Sequence, residues 1–130
     1  VILGDGITPR KDPRIVSQID MAPTLLSLMG ISADYPMLGK DLTRMPADWP
    51  GRAIMQYDKN FALMRGKDVV ILQPERAAEG FVYDDASETL TPAPQPDAMK
   101  DAALGLVLWG NLAYQQGLYQ TAPDDRLVLN

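Results

Sequence analysis

Apolar residues recur along the chain with helix-like spacing in some segments and in short strand-like runs in others. The first clear pattern is helical. Apolar residues over 21–29 recur at the spacing of one helix face, after Asp20 as a candidate N-cap and with Pro23 in the first turn. Gly30 follows as a stop signal in the left-handed region. The apolar run over 1–3 precedes a Gly-Asp-Gly turn and predicts a strand whose sheet partners lie elsewhere.

The middle of the chain changes to strand-like runs. Residues 32–51 are rich in Pro, Gly and Asp without a sustained period, which predicts a long ordered connection. Short polar turns then separate four apolar runs, which predicts an antiparallel meander with strands at 53–57, 61–65, 69–73 and 81–83. The third run is apolar at every position over 69–72, so we expect it at the centre of the sheet.

A second helical period follows a proline-rich segment. Residues 87–96 predict an extended surface linker, and Asp97 is a candidate cap for a helix that ends near Gly117. We expect this helix to lie on the meander with a broad apolar face, formed by Ala103, Val107 and Tyr114 beside Leu104, Leu108 and Leu112. Close packing on the sheet is the expected reason for Gly105 and Gly110 within it. The apolar residues at 127–129 are candidates for a last strand.

These elements predict an α/β chain of the α+β kind: a four-stranded antiparallel sheet covered by a long C-terminal helix. The predicted boundary separates a strand-and-helix unit at 1–45 from the sheet unit at 46–130.

Composition argues against one function class, nucleic-acid binding. The 130 residues are 46% hydrophobic with a formal net charge of -5, and no basic stripe with interleaved aromatics suits a nucleic acid.

Candidate chemistry is sparse, because the chain has neither His nor Cys and no Gly-rich phosphate loop followed by Lys. A metal site would need oxygen ligands, which suit Mg, Ca or Mn. The candidates are Asp5 and two adjacent pairs, Asp84 with Asp85 and Asp124 with Asp125. None has a diagnostic spacing, and adjacent acids in polar stretches are usually solvated. The segment 4–6 can cradle an anion, but a plain tight turn is favoured.

Asp20 and Thr24 are expected to be structural, as a helix cap and a helix-surface residue. Exposed aromatic side chains such as Tyr35 and Trp49 leave a second function class open, a self-sufficient binding or protein-interaction module. A saturable partner would favour that alternative.

Two stretches carry a resemblance to a known family. The stretches 17–26 and 28–31 resemble a late helix of sulfatases and other alkaline-phosphatase-superfamily enzymes. Residues 51–58, 60–66 and 69–72 resemble the C-terminal subdomain of lipoteichoic-acid-synthase-like proteins. The resemblance implies that 1–45 end an alkaline-phosphatase-like main domain and that 46–130 form the C-terminal subdomain.

The resemblance also implies an activity for a longer parent enzyme. Such enzymes carry N-terminal membrane helices and an extracytoplasmic catalytic domain, and they use a Thr nucleophile with Mn or Mg to transfer phosphoglycerol; sulfatase relatives hydrolyse sulfate esters. Their nucleophile and Asp-His metal motif precede the matched region, so Thr24 is not the nucleophile. No catalytic or metal-binding residue is carried over, and the substrate-binding residues stay unknown. This chain alone is expected to be inactive, with the upstream catalytic domain as its partner.

Overall fold

A five-stranded antiparallel meander with a long helix on one face spans residues 53–115. In the computed structural model, residues 4–8, 11–32, 37–120 and 128–129 are described. The sheet has the order β2-β3-β4-β5-β6, and its strands are β2 (Ala53–Tyr57), β3 (Asn60–Arg65), β4 (Asp68–Leu72), β5 (Glu79–Asp84) and β6 (Thr89–Pro92). The predicted α+β class is therefore confirmed, and β4 is central as expected.

The sheet has one strand more than the sequence predicted. Strand β6 lies in the segment interpreted as a linker, and Pro92 pairs with Phe81 of β5. A strand containing proline is tolerated here because β6 is at the sheet edge, where one row of backbone groups needs no partner. Both predicted hairpin turns use the left-handed region, at Asp58 (φ 53°) and at Gly66 (φ 58°).

The long helix α2 (Asp97–Gln115) packs on the sheet through Met99 and Ala103, which form one buried cluster with Leu63 of β3 and Val70 of β4. Pro96 occupies the N-cap position, so Asp97 is the first helical residue and not the predicted cap. Its carboxylate pairs with Lys100 at 2.8 Å, and that hydrogen bond lowers the pKa of Asp97.

Only one side of the predicted broad face of α2 is buried. Leu104, Leu108 and Leu112 are 43–53% exposed and Tyr114 is 80% exposed. The expected reason for the helix glycines is also wrong. A Cβ atom at Gly105 or Gly110 would meet nothing within 4 Å, so neither residue is needed for close packing on the sheet.

The first helix, α1 (Met21–Leu28), follows a 3-10 turn at Gln18–Asp20 and ends before Gly30, which has φ 71° and is the predicted stop. Strand β1 (Ile31–Ser32) comes next and pairs with β7 (Val128–Leu129), which confirms a last strand near the predicted tail position. The predicted strand at 1–3 lies outside the described residues. No helix of the described ranges is long and apolar enough to cross a membrane.

Between β1 and β2, the described residues 37–50 contain turns and neither helix nor strand, as predicted for the long connection. The side chain of Arg14 contacts the backbone of this connection. Its guanidinium donates to the carbonyl oxygen of Leu42 at 3.0 Å while forming an ion pair with Asp12. The connection is therefore fastened to the N-terminal part of the chain before it enters the sheet.

Candidate functional site

A buried cluster of four polar side chains joins the α1 region to the sheet, and we call Ser17, Asp20, Thr24 and Arg52 the polar junction. The carboxylate of Asp20 has no solvent exposure, and Arg52 is 8% exposed. The Arg52 guanidinium donates to the two carboxylate oxygens at 3.1 and 3.3 Å. Because a buried charge without a partner is costly, this ion pair fixes the two segments against each other.

Backbone groups complete the coordination of Asp20 and Arg52. The carboxylate accepts the N–H of Ser17 at 2.9 Å and the N–H of Lys40 at 2.7 Å. The second guanidinium nitrogen of Arg52 donates to the carbonyl oxygen of Leu38 at 2.7 Å. The carboxylate thus binds the 3-10 turn, the long connection and the residue that leads into β2 at the same time.

The two hydroxyl side chains of the polar junction bind backbone in the same way. Ser17 Oγ accepts the N–H of Ile54 in β2 at 2.6 Å. Thr24 Oγ1 donates to the carbonyl oxygen of Asp20 at 2.6 Å and accepts the N–H of Leu42 at 3.0 Å. The hydroxyls of Ser17 and Thr24 therefore accept the part-buried N–H groups of Ile54 and Leu42.

Two glycines allow the backbone to reach the polar junction. At Gly39, a Cβ atom would collide with the carbonyl oxygen of Ile19. Gly51 has φ 75° and forms a parallel bridge with Ile15, whose carbonyl accepts the N–H of Arg52 at 3.0 Å. The Gly-Arg sequence therefore delivers the guanidinium to Asp20 directly before β2 begins.

The polar junction corrects two predictions made from the sequence. Asp20 lies at the start of α1, but its side chain makes no capping bond to that helix and binds the preceding turn and Arg52 instead. Thr24 is 4% exposed and is not a helix-surface residue. The structural role expected for both residues agrees with these contacts, since their side-chain oxygens bind groups within the chain.

The sequence search missed Arg52 and Ser17. An arginine between a turn glycine and an apolar strand was the available signal for Arg52, because a charge that enters a core needs a buried partner.

The predicted acidic candidates do not come together. Asp5 is exposed in a tight turn at Asp5 and Gly6, as favoured for that segment. Asp84 accepts the Ser87 hydroxyl at 2.6 Å, which lowers its pKa, and Asp85 lies 3.8 Å from Lys67 in an exposed ion pair. The pair at 124–125 lies outside the described residues.

The metal implied by the family resemblance has no fitting ligand set in the described part of the chain. Those residues contain no group of three or more carboxylates that can hold an ion.

The aromatic candidates for partner binding are not both open to solvent. Trp49 is half-buried, so its side chain is less exposed than the binding-module alternative expected. Tyr35 lies outside the described residues.

Apolar side chains on and before α1 form an exposed surface that we call the α1 face. It consists of six residues that are 36–60% exposed, namely Val16, Ile19, Met21, Leu25, Leu28 and Met29. The apolar period of this helix was predicted, but the sequence alone did not say whether its apolar side would be covered. Six large apolar residues exposed within fourteen positions are typical of an interaction surface.

A cleft of about 900 Å³ continues from the α1 face toward α2. Its walls are mainly apolar and include Ile19, Ile54, Val107 and Trp109. The indole Nε1 of Trp109 is buried and has no hydrogen-bond partner among the described residues.

Comparison with known proteins places the chain in a larger context. No protein-family model matches the sequence. A crystal structure of a protein in the alkaline phosphatase superfamily from Vibrio parahaemolyticus is similar, with a TM-score of 0.86 and 42% sequence identity. The similarity covers 92% of this chain and 29% of that one, so the chain spans less than a third of the protein it matches. The resemblance to the alkaline phosphatase superfamily is thereby confirmed, and this chain corresponds in sequence and fold to part of a protein in that superfamily.

Proposed function

We propose that this chain supports the catalytic part of a longer enzyme of the lipoteichoic-acid-synthase-like or sulfatase kind. In that enzyme, residues outside this chain supply the catalytic Thr and the Mn or Mg ligands for transfer or hydrolysis of a phosphate or sulfate ester. The 42% identity to a superfamily protein supports the relationship, and the 29% share of that protein's length leaves room for a separate catalytic unit. Membrane anchoring and an extracytoplasmic location belong to the same proposal.

The observation that carries the proposal is the exposed α1 face. Burial of apolar surface stabilises by about 25 cal/mol per Å², so covering these six exposed apolar side chains would be favourable. The proposed occupant is the catalytic unit of the same protein. The matched part is 29% of the similar structure, so the unmatched part of that protein is more than twice as long. The cleft that begins at Ile19 extends the same contact toward α2.

The polar junction gives this surface a fixed orientation. Asp20 precedes α1 directly, and Arg52 precedes β2 directly. Their ion pair of 3.1 Å therefore connects the α1 face to the five-stranded sheet without a flexible link. In the proposed enzyme, the sheet and α2 brace the helix that contacts the catalytic unit.

An activity assay tests the proposal on the 130-residue chain beside the full-length protein. Each is incubated with Mn or Mg and a chromogenic phosphate monoester, phosphate diester or sulfate ester. We expect metal-dependent turnover from the full-length protein and none from the chain alone. Turnover by the chain that requires the metal and is lost in an Asp84→Asn/Asp85→Asn variant would contradict the proposal.

A further inference from the structure

A second surface differs from the buried polar junction, because it is open and combines cationic with apolar side chains. It is a groove of about 450 Å³ where the β2–β3 turn, the β4–β5 connection and the first turns of α2 meet. We call it the cationic groove. Its basic residues come from three separate elements, and they are Lys59, Arg76 and Lys100.

The charged residues of the cationic groove are mostly basic, whereas the whole chain is acidic. The sequence has 17 acidic and 12 basic residues, but the groove is lined by three cations and only Asp101 as an acid. Lys100 is paired with Asp97 at 2.8 Å. Lys59 and Arg76 form no ion pair with any carboxylate of the described residues, and Arg76 makes only a 3.4 Å hydrogen bond to Gln73.

Each of the two unpaired cations directly follows a residue in the left-handed region. Asp58, directly before Lys59, has φ 53°, and Glu75, directly before Arg76, has φ 58°. A left-handed conformation at a non-glycine residue costs free energy, so both turns adopt a defined and unusual shape. Each cation therefore follows a residue with a defined left-handed backbone conformation.

The floor of the cationic groove is apolar. Phe61 and Leu72 lie on neighbouring strands in direct register, and Leu104 and Val107 of α2 form the opposite wall. Leu104 is 47% exposed, which leaves apolar surface open to a ligand. A volume of this size lies within the usual range of small-molecule sites, roughly 300–1,000 Å³.

We propose that the cationic groove binds a small amphipathic anion, with its acidic group between Lys59 and Arg76 and its alkyl or aryl body on Phe61, Leu72 and Leu104. A carboxylate, phosphate or sulfate group provides the acceptor oxygens that an arginine binds through charge-assisted hydrogen bonds. The apolar body accounts for the floor, which a bare inorganic anion would leave uncovered. The groove shares Phe61 and Val107 with the cleft described above, but its three cations and Leu104 lie outside that cleft, and the proposal does not require the proposed function.

Titration of the 130-residue chain with octyl phosphate below its micelle concentration tests the proposal. Binding is followed by calorimetry and by amide chemical shifts. Two further probes separate the contributions of charge and apolar contact. Inorganic phosphate has the anionic group without the octyl group, and octyl glucoside has the octyl group without a charge. We expect saturable octyl phosphate binding, with shifts at Phe61 and Leu104 and at least tenfold weaker affinity for either other probe.

Substitutions locate the site. We expect Lys59→Gln/Arg76→Gln and Leu104→Ser each to weaken octyl phosphate binding about tenfold or more. The matched control Arg44→Gln/Lys67→Gln removes the same charge at exposed positions outside the groove and is expected to leave affinity unchanged. Equal weakening in the control, no saturable binding, or equal affinity for octyl phosphate and inorganic phosphate would overturn the proposal.

Discussion

The Asp20 carboxylate and the Arg52 guanidinium lie 3.1 Å apart, although 32 positions separate them in the sequence, and the carboxylate is closed to solvent. Because each residue directly precedes a secondary-structure element, this contact connects α1 to the sheet. Removal of one partner would leave the other charge buried without compensation. The ion pair is therefore the contact on which the arrangement of the two segments depends most.

We expect Arg52→Met to lower the free energy of unfolding by about 3–5 kcal/mol, since Asp20 would remain buried without a cation. Urea denaturation measures the change. The control is Arg44→Met, whose ion pair with Asp41 at 3.3 Å involves a guanidinium that is 73% exposed. An exposed pair of this kind contributes about 1 kcal/mol or less. A similar loss in both variants would show that burial of the Asp20–Arg52 pair is unimportant.

Thr24 provides a test of the hydroxyl contacts in the polar junction. Thr24→Val keeps the shape but leaves the N–H of Leu42 without its acceptor, so we expect a loss of about 1–3 kcal/mol. Thr24→Ser retains the hydroxyl and should lose less. Thermal unfolding of both variants distinguishes the two effects. If Val is tolerated as well as Ser, the hydrogen bonds of Thr24 do not stabilise the fold.

Two glycines are expected to respond oppositely to the same substitution. Gly105→Ala adds a methyl group in open space within a helix, so we expect a gain of about 1 kcal/mol. Gly39→Ala places a Cβ atom against the Ile19 carbonyl oxygen and should destabilise the chain. The midpoints of urea denaturation give both changes. Destabilisation by Gly105→Ala would mean that this helix position is in contact within the chain.

The Asp41 carboxylate should stabilise the fold near neutral pH and lose that contribution at low pH. Burial raises the pKa of Asp41, but hydrogen bonds from Thr43 and Ser27 outweigh that effect and hold the pKa below its ordinary value. A carboxyl with a lowered folded-state pKa stabilises above its unfolded value of about 3.9 and loses that contribution as the pH falls through the folded value.

We therefore expect Asp41→Asn to be less stable than the parent chain near pH 7, with the difference narrowing below about pH 4. Unfolding curves at several pH values measure it. A difference that stays constant down to pH 2 would mean that ionisation of Asp41 does not contribute.

Local patterns predicted the elements whose signals are contained in neighbouring residues. The apolar run of β4 and the Asp58 and Gly66 turns were sufficient to predict a meander with β4 near its centre. Strand β6 was missed because its proline and exposed positions resemble a linker, and only its pairing with β5 identifies it.

The polar junction was beyond the reach of local patterns for a different reason. Asp20 has the sequence signature of a helix cap, and only the tertiary fold brings Arg52 to it. Exposure of the α1 face was equally hidden, because periodicity indicates that a helix has an apolar side and does not indicate what covers it. The chemistry of the longer enzyme remains a proposal based on the family resemblance.

The central claim is that the α1 face is built to pack against another part of a longer protein. A Leu25→Ser/Leu28→Ser/Met29→Ser variant tests it directly when its free energy of unfolding is measured in the 130-residue chain and in the full-length protein. We predict little change in the chain alone, where these side chains are already exposed, and a loss of several kcal/mol in the full-length protein. An unchanged full-length protein would contradict the account.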